Sequence, residues 1–185
     1  SPEQLRCSMR RLYSVMGRLL SAMPAPQVSD HFPVIACVSV AQTFTRLKLS
    51  SSAQNVRLAE ELVMKRSMNA DPSSANAGPL GRMDLQELAQ TLLGISTCHV
   101  NGWEFDRRLF DQFLAEADAA VTKHILNPDS LAPNDISAVD MLAKAYTRIP
   151  FGALLVSQNR QRLLSMSEQF DCAIGFTSYE SHHFE

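Results

Sequence analysis

The chemistry most open to this chain is phosphate binding, because its cations are concentrated in the first third. Residues 1–68 carry nine Lys or Arg against four Asp or Glu, whereas residues 69–185 carry eight against fifteen. A basic surface attracts phosphate and an acidic surface repels it. The N-terminal part can therefore face phosphate, and the acidic remainder suits a protein partner. The candidate RNA-binding residues are Arg6, Arg10, Arg11, Arg18, Arg46, Lys48, Lys65 and Arg66.

The same cations have two other interpretations. They would equally suit an acidic protein partner, or they could form the solvated surface of a helix. The basic part contains few aromatic residues on which bases could stack, with Tyr13, Phe32 and Phe44 as its examples. Charge alone therefore does not separate RNA from protein as the partner.

Two groups of side chains resemble fragments of catalytic or metal sites. Cys98 beside His99 suggests a nucleophile and its base, but neighbouring residues at a helix end do not point at each other, and no third member accompanies them. His182 and His183 supply two ligands where a metal site needs three or four. The chain contains no G-x-x-x-x-G-K-[ST], G-x-G-x-x-G or H-E-x-x-H motif. We therefore predict a protein without catalytic residues, metal or cofactor.

Three stretches of the chain can be superposed on one another, and each predicts an α-helix. They read VIACVSVAQTFTRLKL, MDLQELAQTLLGIS and DISAVDMLAKAYTRIPF. When Ala41, Ala89 and Ala143 are aligned, apolar residues recur at positions −4, −1, 0, +3 and +6. A turn of 3.6 residues gathers these positions on one helix face. The small residue at the centre of that face predicts close packing of neighbouring helices.

A second apolar stretch follows each of these helices in a common register. Leu62, Phe110 and Leu164 each stand 21 residues after the aligned alanine. One helix pair cannot bury both of its apolar sides, whereas stacked pairs can. The pattern predicts an all-α protein, an α-solenoid of stacked antiparallel helix pairs. An irregular helical bundle is the alternative.

These elements predict a single helical-repeat domain over residues 1–185, and its last helix is expected from 154 to 170. The small and polar segment 69–81 predicts a flexible loop between units. Because the chain begins without Met, we expect it to be a fragment of a longer protein. The predicted units are 3–23 (partial), 30–68, 83–126 and 134–170.

Cysteine spacing and hydropathy predict the kind of compartment in which the protein works and whether it contacts membranes. Its four cysteines stand apart without C-x-x-C spacing, which is typical of small buried side chains in a reducing compartment. No apolar run approaches the roughly 20 residues of a membrane span, so we expect no contact with membranes.

The pattern L-x-x-L-A-x-x-L-x-x-[IL] is carried most clearly by DLQELAQTLLGIS, and more weakly by SVAQTFTRLKL and VDMLAKAYTRI. It resembles the organellar helical-repeat families, which include octotricopeptide and heptatricopeptide repeats and the repeat region of FAST-kinase-like and RAP-domain proteins. The resemblance covers residues 34–170. Spacings of 48 and 54 residues exceed the octotricopeptide period, and neither a RAP-type domain nor a base-recognition code is present.

The resemblance implies a mitochondrial protein of RNA metabolism. The first hypothesis is a non-enzymatic scaffold and RNA-binding subunit of a mitochondrial ribonucleoprotein complex that serves RNA editing, RNA processing or mitoribosome assembly. Such a subunit would also bind other proteins of its complex. The alternative is a protein–protein adaptor that makes no contact with RNA.

Overall fold

The computed structural model describes residues 32–47, 49–68, 78–126, 131, 135–149 and 152–180, together with Glu3, Gln4, Cys7, Ser8 and Arg11. Every regular element among these residues is helical, so the prediction of an all-α protein is confirmed. In this part of the chain, no helix has the length and apolar character to cross a membrane. The elements are α1 (Phe32–Leu47), α2 (Ala53–Ala59), a π-helical turn (Glu60–Lys65), α3 (Pro79–Arg82), α4 (Leu85–Val100), α5 (Arg107–Ile125), α6 (Asp135–Arg148), α7 (Gly152–Val156) and α8 (Gln158–Glu180).

The first helices of the three predicted units pack side by side, with α4 between α1 and α6. Ala41 and Ala89 are fully buried, and Ala143 is buried nearly as completely, which confirms the predicted packing face. The two helices α1 and α4 approach closely at Gly94, where a Cβ atom would stand 2.3 Å from the carbonyl oxygen of Ala41. Small residues are therefore what allow α1 and α4 to pack backbone against backbone.

The second helices pack beside their own first helices and also touch one another. The π-helical turn lies against α1, and α5 lies against both α4 and the π-helical turn. Leu62 and Phe110, which the aligned register places on the inner side of these helices, are buried. Packing of helices in neighbouring pairs is thus confirmed.

The helix that begins at α2 widens at its middle into the π-helical turn. Its start is capped by Ser52, whose hydroxyl accepts a hydrogen bond from the backbone N–H of Asn55 at 3.3 Å. In the widened turn, the thiol of Cys37 donates to the carbonyl of Leu62 at 3.3 Å. This bond ties α1 to a stretch where backbone pairing departs from the α-helical pattern.

The second unit begins at a complete capping box. Asp84 accepts from the backbone N–H of Glu87 at 2.8 Å, and the Glu87 carboxylate accepts from the backbone N–H of Asp84 at 2.9 Å. Immediately before it, α3 packs on α1 and α5 with Pro79 and Leu80 buried. The last residues of the segment expected to be a flexible loop, 79–81, are therefore helical, because Leu80 has an apolar surface to bury against; residues 69–77 lie outside the described part.

Aromatic rings join α1 to the start of α5. Trp103 packs edge-on against Phe44 with ring centroids 5.3 Å apart, and Phe105 lies 6.3 Å from Trp103 and 5.1 Å from Phe110. The turn before them is made by Gly102, which adopts φ 82°. Trp103 and Phe105 therefore connect α1 to α5 through a continuous row of aromatic rings.

The third unit differs from its prediction. The helix expected over 154–170 is two helices, α7 and α8, which are separated at Ser157, and α7 begins at Gly152 with φ 61°. α7 packs on α5, whereas α8 packs mainly on α6. The predicted common register fails here: Leu163 is fully buried, and Leu164 is 36% exposed. Because of the extra turn at α7, the buried residue of the following helix is Leu163, one residue before the position that the alignment with the other two units predicts.

Candidate partner-binding face

The structure describes some of the predicted RNA-binding residues and not others. Arg6, Arg10, Arg18 and Lys48 lie outside the described residues. Arg11 is helical and exposed. The remaining three, Arg46, Lys65 and Arg66, are all exposed to solvent.

The structure does not bring these three cations together. Arg66 stands one turn after Leu62, whose carbonyl accepts the thiol of Cys37 near the start of α1. Arg46 stands nine residues further along α1, which is about 13 Å at 1.5 Å per residue. Arg46 therefore lies toward one end of the first helix pair, and Arg66 toward the other.

Lys65 is surrounded by negative charge. Its ammonium group forms an ion pair with Glu61 one turn earlier, and both side chains are exposed. This hydrogen bond, with the nearby charges of Glu60 and Asp106, raises the pKa of Lys65 above its usual value. Glu60 also accepts the backbone N–H of Asp106 at 2.7 Å, which fixes a carboxylate at this place. A phosphate group would meet carboxylates here as well as the cation.

A different set of side chains is brought together on the solvent side of the first helices. Gln42, Gln90 and Lys144 each follow the aligned alanine by one residue, and therefore occupy equivalent places on α1, α4 and α6. The amide of Gln42 donates to the amide oxygen of Gln90 at 2.6 Å, across the seam between α1 and α4. Lys144 is exposed and pairs with Asp140 on its own helix at 2.6 Å.

A second hydrogen bond crosses the seam between α4 and α6, about two turns after Gln90 on α4 and one turn after Lys144 on α6. The guanidinium of Arg148 donates to the hydroxyl of Thr97 at 3.1 Å. Arg46 occupies on α1 the place that Arg148 occupies on α6, five residues after the aligned alanine. Neither guanidinium has a carboxylate partner among the described residues. We call this surface the first-helix face; its members are Gln42, Arg46, Gln86, Gln90, Thr97, Lys144 and Arg148.

A pattern in the sequence could have indicated this face, although the prediction based on cations does not include it. The alignment of Ala41, Ala89 and Ala143 already places two glutamines and a lysine at the same position. A prediction based on phosphate binding names only cations, and it therefore omits uncharged amides. The bond across the seam depends on how the helices are placed relative to each other, which periodicity within one helix does not specify.

Cys98 and His99 are in surroundings that oppose nucleophilic chemistry. Burial raises the pKa of the Cys98 thiol to about 12, so the thiol stays protonated near neutral pH. Burial also lowers the pKa of His99, whose ring packs near Phe110 with centroids 5.8 Å apart. No group of three or more potential metal ligands occurs among the described residues, and His182 and His183 lie outside them.

A polar cluster at the start of α8 was also missed by sequence reasoning. One carboxylate oxygen of Asp118 accepts hydrogen bonds from Tyr146, Ser157 and Asn159, at 2.6, 2.7 and 2.9 Å. The Ser157 hydroxyl in turn accepts the backbone N–H of Asn159 at 3.0 Å. The cluster fixes the break between α7 and α8 onto α5 and α6, which is a structural role.

Comparison of the chain with protein-family models, with curated proteins and with solved structures found no match.

Proposed function

We propose that this chain is a non-enzymatic α-solenoid scaffold that binds a protein partner on its first-helix face. The observation that carries the proposal is the side-by-side packing of α1, α4 and α6, with equivalent positions turned to solvent on each helix. Stacked helices of this kind provide an extended surface on a rigid support. Such a surface can contact a partner over several helices at once.

The character of the first-helix face favours protein over RNA as the partner. Two of its members at equivalent positions, Gln42 and Gln90, are neutral amides, and the lysine at the third position, Lys144, is paired with Asp140. RNA affinity depends mainly on several cations that contact phosphates together. Among the described cations predicted for that purpose, Lys65 is countered by carboxylates, and Arg46 and Arg66 lie toward opposite ends of the first helix pair. The adaptor function, which the sequence offers as the alternative, is therefore the better supported of the two.

RNA binding within a mitochondrial ribonucleoprotein complex is the second candidate. It is favoured by Arg46 and Arg148, which are exposed and have no carboxylate partner among the described residues, and by the exposed Arg11. The resemblance to organellar helical repeats points the same way. In this alternative the first helices would present their cations to a nucleic acid strand.

Cross-linking separates the adaptor from the RNA-binding subunit. The full-length protein is isolated from cells with its bound partners and divided into samples with and without nuclease treatment. Both samples are then cross-linked through lysines and digested for mass spectrometry. We expect a protein partner joined at Lys144, with a yield that nuclease treatment before cross-linking leaves unchanged. Loss of the partner after nuclease treatment, or cross-links only at lysines away from the first-helix face, would contradict the proposal.

Filter binding tests the second candidate directly. If RNA is bound by these cations, affinity falls by about tenfold or more between 50 and 200 mM salt, because counterions are released. It falls further in Arg46→Glu/Arg148→Glu and in Arg6→Glu/Arg10→Glu/Arg11→Glu. Arg108→Glu, an exposed change on α5, is the matched control. Equal retention by all variants would exclude these cations as the RNA contact.

A further inference from the structure

The turn that ends α4 carries an asparagine followed directly by a glycine. Asn101 is the only asparagine of the chain that precedes a glycine, and both residues are exposed to solvent. An asparagine side chain can react with the backbone nitrogen of the next residue, and the reaction is fastest before glycine, which has no Cβ atom to obstruct the approach. A Cβ atom placed on Gly102 would meet nothing within 4 Å, so the surroundings leave the turn open as well.

The reaction uses water and needs no other reagent. The backbone nitrogen of Gly102 attacks the side-chain carbonyl carbon of Asn101, and a carbon–nitrogen bond forms. The side-chain nitrogen leaves as ammonia, which takes up the proton that the backbone nitrogen has lost. Water then opens the resulting cyclic imide at one of its two carbonyl carbons, without oxidation or reduction. Opening at one carbonyl gives aspartate, and opening at the other gives isoaspartate, in which the main chain runs through the side-chain carbons.

The folded turn holds the attacking nitrogen away from this reaction. The N–H of Gly102 donates to the carbonyl of His99 at 3.0 Å, and the N–H of Trp103 donates to the carbonyl of Cys98 at 3.1 Å. These two bonds form a Schellman motif, with Gly102 at its left-handed position. Asn101 has ψ 13°, which turns the following nitrogen away from its own side chain. The reaction therefore requires the end of α4 to open, and helix ends open more readily than cores.

We propose that Asn101 is a site of spontaneous modification, and that isoaspartate formed there releases Trp103 from its packing against Phe44 of α1. Isoaspartate lengthens the main chain by one carbon atom immediately before Gly102, so the two bonds of the Schellman motif lose their spacing. Trp103 is 2% exposed, but its indole N–H has no hydrogen-bond partner among the described residues. Ring packing and the turn before it are therefore what hold the side chain in place.

The two products differ in their effect on the fold. Aspartate keeps the length of the main chain and adds one negative charge at the C-terminal end of α4, where the helix dipole makes it only mildly unfavourable. Trp103 should therefore stay in place in the aspartate product. Isoaspartate instead breaks the row of rings between α1 and α5, so the modification would loosen this connection slowly and in one direction. This inference is independent of the proposed binding of a partner.

Mass spectrometry of the purified chain measures the modification. Samples in native buffer and in guanidinium chloride are kept at mildly alkaline pH, digested, and compared for a gain of one mass unit at each asparagine. We expect aspartate and isoaspartate at Asn101 in both samples, formed roughly tenfold or more slowly in native buffer because only the opened fraction reacts. Asn55 and Asn159 precede valine and arginine, and these internal controls should stay unchanged. The inference is overturned if the native protein forms no product at Asn101 over weeks, or if it reacts as fast as the unfolded chain.

The fluorescence of Trp103, the only tryptophan of the chain, measures its release. The isoaspartate form is separated by chromatography and compared with Asn101→Asp, which reproduces the other product, and with Asn101→Ser, which cannot form the imide. We expect quenching by acrylamide to rise several-fold in the isoaspartate form alone, with the helix content in circular dichroism retained. Equal quenching of the three proteins would overturn the release of Trp103. An equal rise in Asn101→Asp would overturn it too, because charge would then be the cause, and a general loss of helix would contradict a local effect.

Discussion

Asp118 shows how a single side chain can hold the third helical pair in place. Its carboxylate is the common acceptor for donors from α6, from the α7–α8 junction and from α8. The phenol of Tyr146 is fully buried, so its hydroxyl has no access to water as an alternative partner. Burial, together with the neighbouring carboxylate of Asp118, raises the pKa of Tyr146. This hydrogen bond therefore connects the buried ring of Tyr146 on α6 to the half-buried carboxylate of Asp118 on α5.

Removal of either member of this pair should reduce stability. A hydrogen bond to a charged group contributes about 1.5–3 kcal/mol, so we expect Tyr146→Phe to lower the free energy of unfolding by an amount in that range. Asp118→Ala should cost at least as much, because it leaves buried donors unsatisfied. In urea unfolding at neutral pH, the double variant should cost less than the sum of the two. Asp140→Ala, which breaks an exposed pair with Lys144, serves as the control and should change stability by about 0.5 kcal/mol or less. Additive losses for Tyr146 and Asp118 would contradict the coupling.

His99 should make stability depend on pH. Burial lowers its pKa below the ordinary value of 6.5, so the folded protein binds this proton less readily than the unfolded chain does. The contribution is therefore fully present above pH 6.5 and is lost as the pH falls below that value. We expect the urea midpoint to fall between pH 7.5 and 5.5 in the natural protein, and to fall less in His99→Gln. Parallel curves for the two proteins would show that His99 is not the group responsible.

At the scale of elements, Gly94 decides how closely α1 and α4 can pack. Replacing glycine by alanine inside a helix usually stabilises it by about 1 kcal/mol. At Gly94 the added Cβ would stand 2.3 Å from the carbonyl oxygen of Ala41, which is backbone and has little freedom to move. We therefore expect Gly94→Ala to reverse the usual sign and destabilise the protein by at least 1–3 kcal/mol, the usual range for overpacking.

Thermal unfolding followed by circular dichroism measures this effect. Ser137→Ala is a suitable control, because the serine is an exposed helical residue on α6. An unchanged or higher melting temperature for Gly94→Ala would mean that α1 and α4 are not in backbone contact at this place. It would also remove the support on which the first-helix face depends.

The helices could be predicted from the sequence where each has a single apolar face that packs against neighbouring helices. Ala41, Ala89 and Ala143 are buried as predicted, because periodicity within a helix reports its own inner face. Register after a break was not predictable in the same way. The left-handed conformation of Gly152 and the separation at Ser157 reset the helix that follows, so Leu163 is buried in place of Leu164. Contacts between elements caused this shift, and no local pattern records them.

The candidate site was less predictable than the fold for a related reason. Charge can be counted along a sequence, but the place of each charge on the surface depends on how the helices fold back. The pairing of Lys65 with Glu61, one turn apart on the same helix, is visible in the sequence, but the charge of Asp106 comes near Lys65 only through the fold. Gln42 and Gln90 look unremarkable, yet the packing of α1 on α4 brings their amides to 2.6 Å. A pair across a seam is a property of the folded chain.

At the scale of the whole molecule, the order of the helices makes α4 the central support. It packs on α1 on one side and on α6 on the other, whereas α1 and α6 each have only one first helix beside them among the described elements. In a stacked array, stability is approximately a sum of units and the interfaces between neighbours. A defect in the centre should therefore weaken both sides, and a defect near one end should stay local.

Native-state hydrogen exchange of two matched variants tests this arrangement. Leu92 on α4 and Leu142 on α6 are both fully buried, so each change to alanine should cost about 2–5 kcal/mol. We expect Leu92→Ala to accelerate exchange in α1, α4 and α6, because it weakens both seams. Leu142→Ala should accelerate exchange in α6 and α8 and leave α1 largely protected, since opening at one end need not include the other. If both variants lost protection uniformly along the chain, the molecule would unfold as one cooperative core. The extended, additive support that the scaffold proposal requires would then be absent.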